Sequence, residues 1–161
     1  MQLNKALKSL AVAALVVSPF AAGATDGTEA QSAADIWGAD RARIFDASEV
    51  TLDEFRWIAR PIVVFADTPA DPAFSEQIEL LTGRLDELVE RDVVIITDTS
   101  PDDPSELRRK LRPRGFMLTV IGKDGGVKLR KPFPWDVREI SRSIDKMPIR
   151  QQEIRDAKVG R

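Results

Sequence analysis

Between Phe116 and Lys131 the chain reads FMLTVIGKDGGVKLRK. Phe116 to Ile121 is a run of apolar and β-branched residues of strand length. Asp124-Gly125-Gly126 offers the positive-φ positions that a tight hairpin turn needs. Val127 and Leu129 then alternate with Lys128 and Arg130, the period of a return strand with one face in water. The stretch therefore predicts an antiparallel hairpin, with strands near 116–121 and 127–131.

Two further apolar runs lie upstream. Pro61 to Ala66, PIVVFA, predicts a central buried strand, with proline at the first position, where a strand tolerates it. Val93 to Thr97, VVIIT, predicts a second. Between them, Asp71-Pro72 fits a helix start with Asp at the N-cap and Pro at N1. Phe74, Ile78, Leu81, Leu85, Leu88 and Val89 keep helical spacing, which predicts one helix over 72–90 across Gly83. Asp103-Pro104-Ser105-Glu106 repeats the start pattern with Asp103 as the cap, and Leu107 and Leu111 form the apolar face of a short helix. After the hairpin, Val137, Ile140, Ile144 and Met147 trace another helix. Pro148 to Asp156 predicts a last one, with Ile149 and Ile154 facing in.

The order is β-α-β-α-β-β-α. Two buried strands joined by a helix imply a right-handed parallel crossover, and the hairpin adds antiparallel strands. Numbering the four expected strands in sequence, this gives a mixed α/β sheet of order 2-1-3-4 with helices on both faces, the thioredoxin-like arrangement.

The flanks read differently. Lys5 and Lys8, the apolar run Leu10 to Phe20 and Ala22-Gly23-Ala24 have the pattern of a signal peptide over residues 1–24, cleaved before Thr25. The alternative, an uncleaved anchor, needs about 20 consecutive apolar residues. Residues 25–50 read as a leader, small and polar through Ala34, with Ile36-Trp37 and Ile44-Phe45 docking on the surface of the core. The domain is expected over 51–157, opened by a capping box at Thr51 and Glu54 and a short helix ending near Trp57 or Ile58. A frayed tail is expected over 158–161. On this reading the chain is periplasmic or secreted.

Composition excludes more chemistry than it suggests. The 161 residues include no Cys and no His, with 24 basic and 26 acidic side chains. Thiol redox chemistry, Ser-His-Asp and Cys-His catalysis, and zinc or haem ligation by Cys or His are all ruled out. Cleavage would remove two lysines and no acid, so the balance stays acidic and does not suggest nucleic acid as a partner.

Four segments taken together carry a resemblance. They are Trp57 to Ala66 (WIARPIVVFA), Glu90 to Val94 (ERDVV), Ile121 to Lys128 (IGKDGGVK) and Ile144 to Arg150 (IDKMPIR). With them the chain, from about Phe55 to Glu153, resembles the family named domain of unknown function 4174. Its members are mostly exported bacterial proteins, and related segments occur in the animal extracellular coiled-coil domain-containing protein 80. The resemblance implies a thioredoxin-like or peroxiredoxin-like fold and no defined activity.

In a thioredoxin-like fold the redox motif would stand at the end of the first strand, where this chain has Asp67-Thr68-Pro69-Ala70-Asp71. Two functions follow from that substitution. The first is a non-catalytic binding or accessory module of the cell envelope, with no cofactor, binding an unknown protein or a small anionic ligand. Its candidate site is Asp67, Thr68, Asp71, Arg112 and Arg114, where an arginine fork meets the N-terminus of the long helix. The bland alternative is that Asp67 and Asp71 pair with those arginines and close the site. The second function is a cysteine-independent enzyme using Asp67 and Asp71 as a carboxylate pair. Trp57, Phe133 and Trp135 are candidate partner contacts. The basic run Arg108, Arg109, Lys110, Arg112 and Arg114 reads first as a solvated face and second as an anion surface. Asp98, Asp102, Asp103 and Glu106 lack the spacing of a calcium loop, and no metal is expected.

Overall fold

A computed structural model describes residues 31–160 of the chain. The expected signal peptide, its cleavage point, the start of the leader and Arg161 lie outside that range. The described elements are α1 (Ala33–Ala39), β1 (Ile44–Asp46), a 3-10 turn (Leu52–Phe55), β2 (Arg60–Phe65), α2 (Pro72–Thr82), α3 (Leu85–Val89), β3 (Val93–Asp98), α4 (Glu106–Leu111), β4 (Met117–Ile121), β5 (Val127–Lys131), α5 (Val137–Asp145) and α6 (Pro148–Val159). Among the described residues no helix is long and apolar enough to cross a membrane.

The sheet order is β1-β3-β2-β4-β5. β2 runs parallel to β3 and antiparallel to β4, and β4 pairs antiparallel with β5. Four strands thus take the expected 2-1-3-4 order. The fifth, β1, lies parallel to β3 with Phe45 opposite Ile96, so Ile44-Phe45 extends the sheet where surface docking was expected. Three residues are too few for an alternating pattern to show in the sequence.

Strand alternation divides the core into two layers. Val63 and Phe65 of β2 meet Trp37, Phe45, Phe55, Leu107 and Leu111 on one face. Ile62 and Val64 meet Leu81, Leu88, Val137, Ile140 and Ile144 on the other. Residues 33–50 therefore belong to the packed unit: Trp37 is buried and Phe45 stacks edge-on against Phe55 at 5.9 Å. Covering both faces is what a continuously apolar parallel strand requires.

Local signals explain most boundaries, and they fail in instructive places. Asp71 caps α2 as expected, its Oδ1 accepting from the Ala73 N–H at 2.8 Å. The single helix expected over 72–90 is instead two, because the chain leaves α2 at Gly83 and Arg84 adopts a non-helical conformation. A glycine costs about 1 kcal/mol in a helix interior, and here it marks the break. The cap of α4 is Ser105, not Asp103: the Ser105 hydroxyl accepts from the Arg108 N–H at 2.9 Å. The Thr51–Glu54 capping box forms, with the Thr51 N–H donating to Glu54 at 2.7 Å, but the helix it opens is one 3-10 turn that stops at Phe55. In the hairpin only Gly125 takes positive φ, and Asp124 accepts from the Gly126 N–H at 3.0 Å.

α6 corrects the sequence reading most. It runs to Val159, past the expected end at Asp156, and buries no residue fully; Ile149 and Ile154 are only half-buried. Charge holds it in place. Glu153 accepts from Arg60 at 2.9 Å and from Lys123 at 2.9 Å. The sequence pattern indicates the helix, but hydrophobic periodicity carries no sign of the charges that dock it.

Candidate functional site

The C-terminal ends of β2 and β3 carry the loop where a redox motif was expected to be replaced. Asp71 is committed to the α2 cap. Thr68 stays local, its hydroxyl accepting from the Ala70 N–H at 3.3 Å. The Asp67 side chain is 62% exposed. None of the principal cavities among the described residues is lined by Asp67 or Asp71. A carboxylate pair that shares a proton is a buried one, whereas here Asp67 is exposed and Asp71 caps a helix.

Behind this loop lies an arginine that the sequence reading placed in water. Arg108 is 8% exposed and Asp98 3%. The Arg108 Nε donates to Asp98 Oδ1 at 2.8 Å, and its Nη2 donates to the carbonyls of Ala66 at 2.7 Å and Asp98 at 2.9 Å. Its ring of partners closes with Asp67, at 3.8 Å from Nη1. Ser105 donates its hydroxyl to the second Asp98 oxygen at 2.5 Å. One guanidinium thus ties α4 to the ends of both central strands, bonding the Ala66 carbonyl and adding a second bond to the Asp98 carbonyl, which also accepts from the Ala66 N–H. The helix phase held the signal: Arg108 follows Leu107 and precedes Leu111 by three, on the boundary of the buried face. Asp98 is used up in this contact, and among the described residues no cluster of acids could hold a metal.

Arg112 and Arg114 behave differently. Both are exposed, and neither has an ion pair among the described residues. The expected closure of the site by Asp67 and Asp71 is therefore not what forms; Asp67 faces Arg108 instead. The loop does reach the first strand as its antiparallel register dictates. Phe65 opposes Met117, and a side chain on Gly115 would sit 3.9 Å from the Asp67 carboxylate. Asp71 and Thr68 are not brought into contact with the arginines.

Arg112 and Arg114 open instead onto a cavity of about 260 Å³ lined also by Phe116, Met117, Arg130, Lys131 and Pro132. Four cations surround it and no carboxylate lines it. Two of them have other attachments: Arg130 donates to the Leu111 carbonyl at 2.7 Å, and the Lys131 ammonium lies 4.5 Å from the Trp135 ring centre. Trp135 is fixed in turn, its N–H donating to Gln77 at 2.7 Å while Gln77 donates back to its carbonyl at 3.1 Å. Gln77 is fully buried on α2, a contact that no sequence signal indicated. Of the other candidate contacts, Phe133 is exposed beside Lys131 and Trp57 is exposed at the opposite end of the sheet.

That opposite end holds the network around Glu153. Arg60, 1% exposed, bonds Glu153 and the Arg91 carbonyl. Lys123 also bonds Asp92 at 2.7 Å, and Arg41 reaches Asp92 at 2.9 Å. Arg91 grips Asp145 with two parallel bonds at 3.0 and 2.8 Å. Burial pushes the Asp92 and Glu153 carboxyls up. Hydrogen bonds from Lys123 and Arg41 to Asp92, and from Lys123 and Arg60 to Glu153, outweigh it and hold both below their ordinary values.

The fold has counterparts among solved structures. The 2-Cys peroxiredoxin of Plasmodium vivax superimposes with a TM-score of 0.52 at 16% identity, over 65% of this chain and 85% of that one. Prx1a of Plasmodium yoelii gives 0.51 at 19%, over 65% and 82%. At these identities the likeness is one of fold: a thioredoxin fold, here without any cysteine. Six residues of the ion network, Arg60, Arg91, Asp92, Lys123, Asp145 and Arg150, lie in the segments that carried the resemblance, while Glu153 and Arg41 lie outside them. The family described as a domain of unknown function, DUF4174, matches residues 51–153, well over half of the sequence, and the chain belongs to that family.

Proposed function

We propose that this protein is an exported, non-catalytic binding module of the cell envelope, and that its ligand or partner is anionic. The observation that carries the reading is the cavity at Arg112 and Arg114: cations without counter-charges, beside a redox position that Asp71 and the Arg108–Asp98 pair have turned into structure. A cation left in water costs little, whereas a buried one needs a partner. The free arginines are thus available to a ligand at no expense to the fold. Export rests on Lys5, Lys8, the apolar run to Phe20 and Ala22 to Ala24.

Two measurements test this. N-terminal sequencing of the protein recovered from the envelope fraction is expected to begin at Thr25; an intact Met1 overturns export. Capture of partners from native envelope extract by the tagged mature protein is expected to be lost at high salt and with Arg114→Ala. Retention in both conditions overturns the anionic reading. The enzyme alternative loses its support in the commitment of Asp71 to the α2 cap and the exposure of Asp67, and turnover on a hydrolase panel that Asp67→Asn abolishes would restore it.

A further inference from the structure

The cavity beside β4 and β5 is more selective than a basic surface. Its lining joins four cations to apolar surface from Phe116, Met117 and Pro132, and the long stems of the arginines are themselves aliphatic. The volume of about 260 Å³ equals the liquid volume of roughly nine waters at about 30 Å³ each. It is below the usual size of a pocket for a drug-sized ligand. The backbone around it is also constrained. Arg112 has φ +50° and Gly115 φ +63°, and these left-handed residues bracket Pro113 and Arg114. Arg112 takes this conformation as the C-cap of α4, its N–H donating to the Arg108 carbonyl at 2.9 Å, and so fixes where the helix ends and the segment with Arg114 begins.

We propose that this cavity binds a carboxylate carried on a small apolar body, with Arg114 as the fork for the carboxylate and Phe116, Met117 and Pro132 receiving the apolar part. The planar guanidinium matches a carboxylate bidentately. Arg112 supplies the second free charge, while Arg130 and Lys131, held by Leu111 and Trp135, set the field without needing to move. Asp67, the carboxylate beside Gly115, faces Arg108 and does not line the cavity. Two sources share this chemistry: a free aryl or alkyl carboxylic acid, and the C-terminal residue of a protein that ends in an apolar side chain. The inference rests on the anion-binding reading above and narrows it.

The test is NMR titration of the purified protein with 3-phenylpropionate, 3-phenylpropionamide, inorganic phosphate, and a short glycine peptide ending in phenylalanine, as free acid and as C-terminal amide. The acid is expected to bind with a dissociation constant of about 1 mM, the scale for a ligand of this size. It should shift the amides of Phe116, Met117 and Lys131, and the carboxamide should bind at least tenfold more weakly. Arg114→Gln should remove most of that preference while leaving the spectrum of the free protein otherwise unchanged. If the free-acid peptide binds at least as well as 3-phenylpropionate, the source is a protein C-terminus; if only the small acid binds, it is a free metabolite. Equal binding of acid and amide, or a preference that survives Arg114→Gln, overturns the proposal. Phosphate binding at Arg112 and Arg114 without 3-phenylpropionate binding overturns it too, and leaves the wider anionic reading standing. Failure of every probe, phosphate included, removes both.

Discussion

The two ends of the β2–β3 pair are built from the same kinds of side chain, and they differ in whether the charges are matched. At the N-terminal end Arg60, Lys123, Arg91 and Arg150 each lie within 4 Å of a carboxylate, and the carboxylates are shared. At the C-terminal end one pair, Arg108 with Asp98, is buried and matched, and beyond it Arg112 and Arg114 have no partner among the described residues. Matching follows burial. A guanidinium with 1% of its surface exposed must be paired, because an isolated buried charge costs many kcal/mol. An exposed one is free to remain single. The matched charges therefore fasten α4 and α6 to the sheet, and the unmatched ones are where this fold has capacity to bind something else.

The largest expected effect concerns Arg108. Arg108→Met leaves Asp98 buried with only Ser105 and the Ser100 N–H to solvate it, a loss of about 3–5 kcal/mol. Urea unfolding at neutral pH measures it. The double change Arg108→Met with Asp98→Leu should recover much of that loss, because it removes the uncompensated charge as well. A single-variant loss below about 1 kcal/mol would mean that water reaches Asp98 and that this end is less closed than its burial indicates.

At the opposite end Arg60→Met should cost about 1.5–3 kcal/mol, the range for hydrogen bonds to charged groups, since Lys123 still serves Glu153. The pH dependence gives a separate reading. Asp92 and Glu153 titrate in the folded protein below their ordinary values of 3.8 and 4.5. A depressed carboxyl contributes stability that is present above the unfolded value and is lost as pH falls through the folded one. Unfolding midpoints should hold down to about pH 4.5 and then decline through 3.8 and below. In Arg60→Met the decline should be shallower. An identical slope in the variant would place the acid sensitivity outside this network.

What the sequence made legible follows the same division. The strands and the sheet order were readable because Ile62 to Phe65 and Val93 to Ile96 must be apolar on both sides, and the Asp71-Pro72 start was readable because capping is local in the chain. The basic run was readable as a set of charges and no further. Arg108 is buried because it borders the Leu107–Leu111 face of α4 and finds partners at the ends of β2 and β3, whereas Arg112 lies past the helix as its left-handed C-cap, and the spacing within the run encodes neither partner. Gln77, Arg60 and Glu153 find partners 58 and 93 residues away in sequence, and no local pattern encodes a contact of that span. The candidate site was half legible. Arg112 and Arg114 were named, but their surroundings come from β5 and the following loop and not from Asp67, Thr68 and Asp71.

Trp57 offers a smaller and opposite effect. It lies at the matched end, 64% exposed, with φ +64°, held by an N–H bond to the Lys123 carbonyl at 2.7 Å. The left-handed region costs a bulky residue about 1–2 kcal/mol, and glycine there returns most of that less its own unfolded-chain entropy of about 0.5–1 kcal/mol. Trp57→Gly is therefore expected to raise the thermal midpoint by a few degrees, given about 2–8 °C per kcal/mol for chains of this size range. A lower midpoint would show that the exposed indole packs on the network and belongs to it.

The smallest expected effect separates the two ends by sign. Replacing Arg112 and Arg114 together by glutamine removes two of four like charges around one cavity and breaks no ion pair. Repulsion among exposed charges is worth tenths of a kcal/mol and is screened once their separation exceeds the Debye length, about 30 Å at 0.01 M salt and about 3 Å at 1 M. The double variant should thus be slightly more stable than the wild type in 0.01 M salt, by about 0.5 kcal/mol or less, and equal to it in 1 M salt. Arg60→Met, in contrast, should stay destabilised in both, because Arg60 is 1% exposed and its bonds are shielded from mobile ions more than surface charges are. The comparison is made by urea unfolding of the three proteins at the two salt concentrations. If the double variant instead loses 1 kcal/mol or more at both, then Arg112 and Arg114 hold the fold together as Arg60 does. The cavity they border would then be a by-product of packing rather than a place kept open for a ligand.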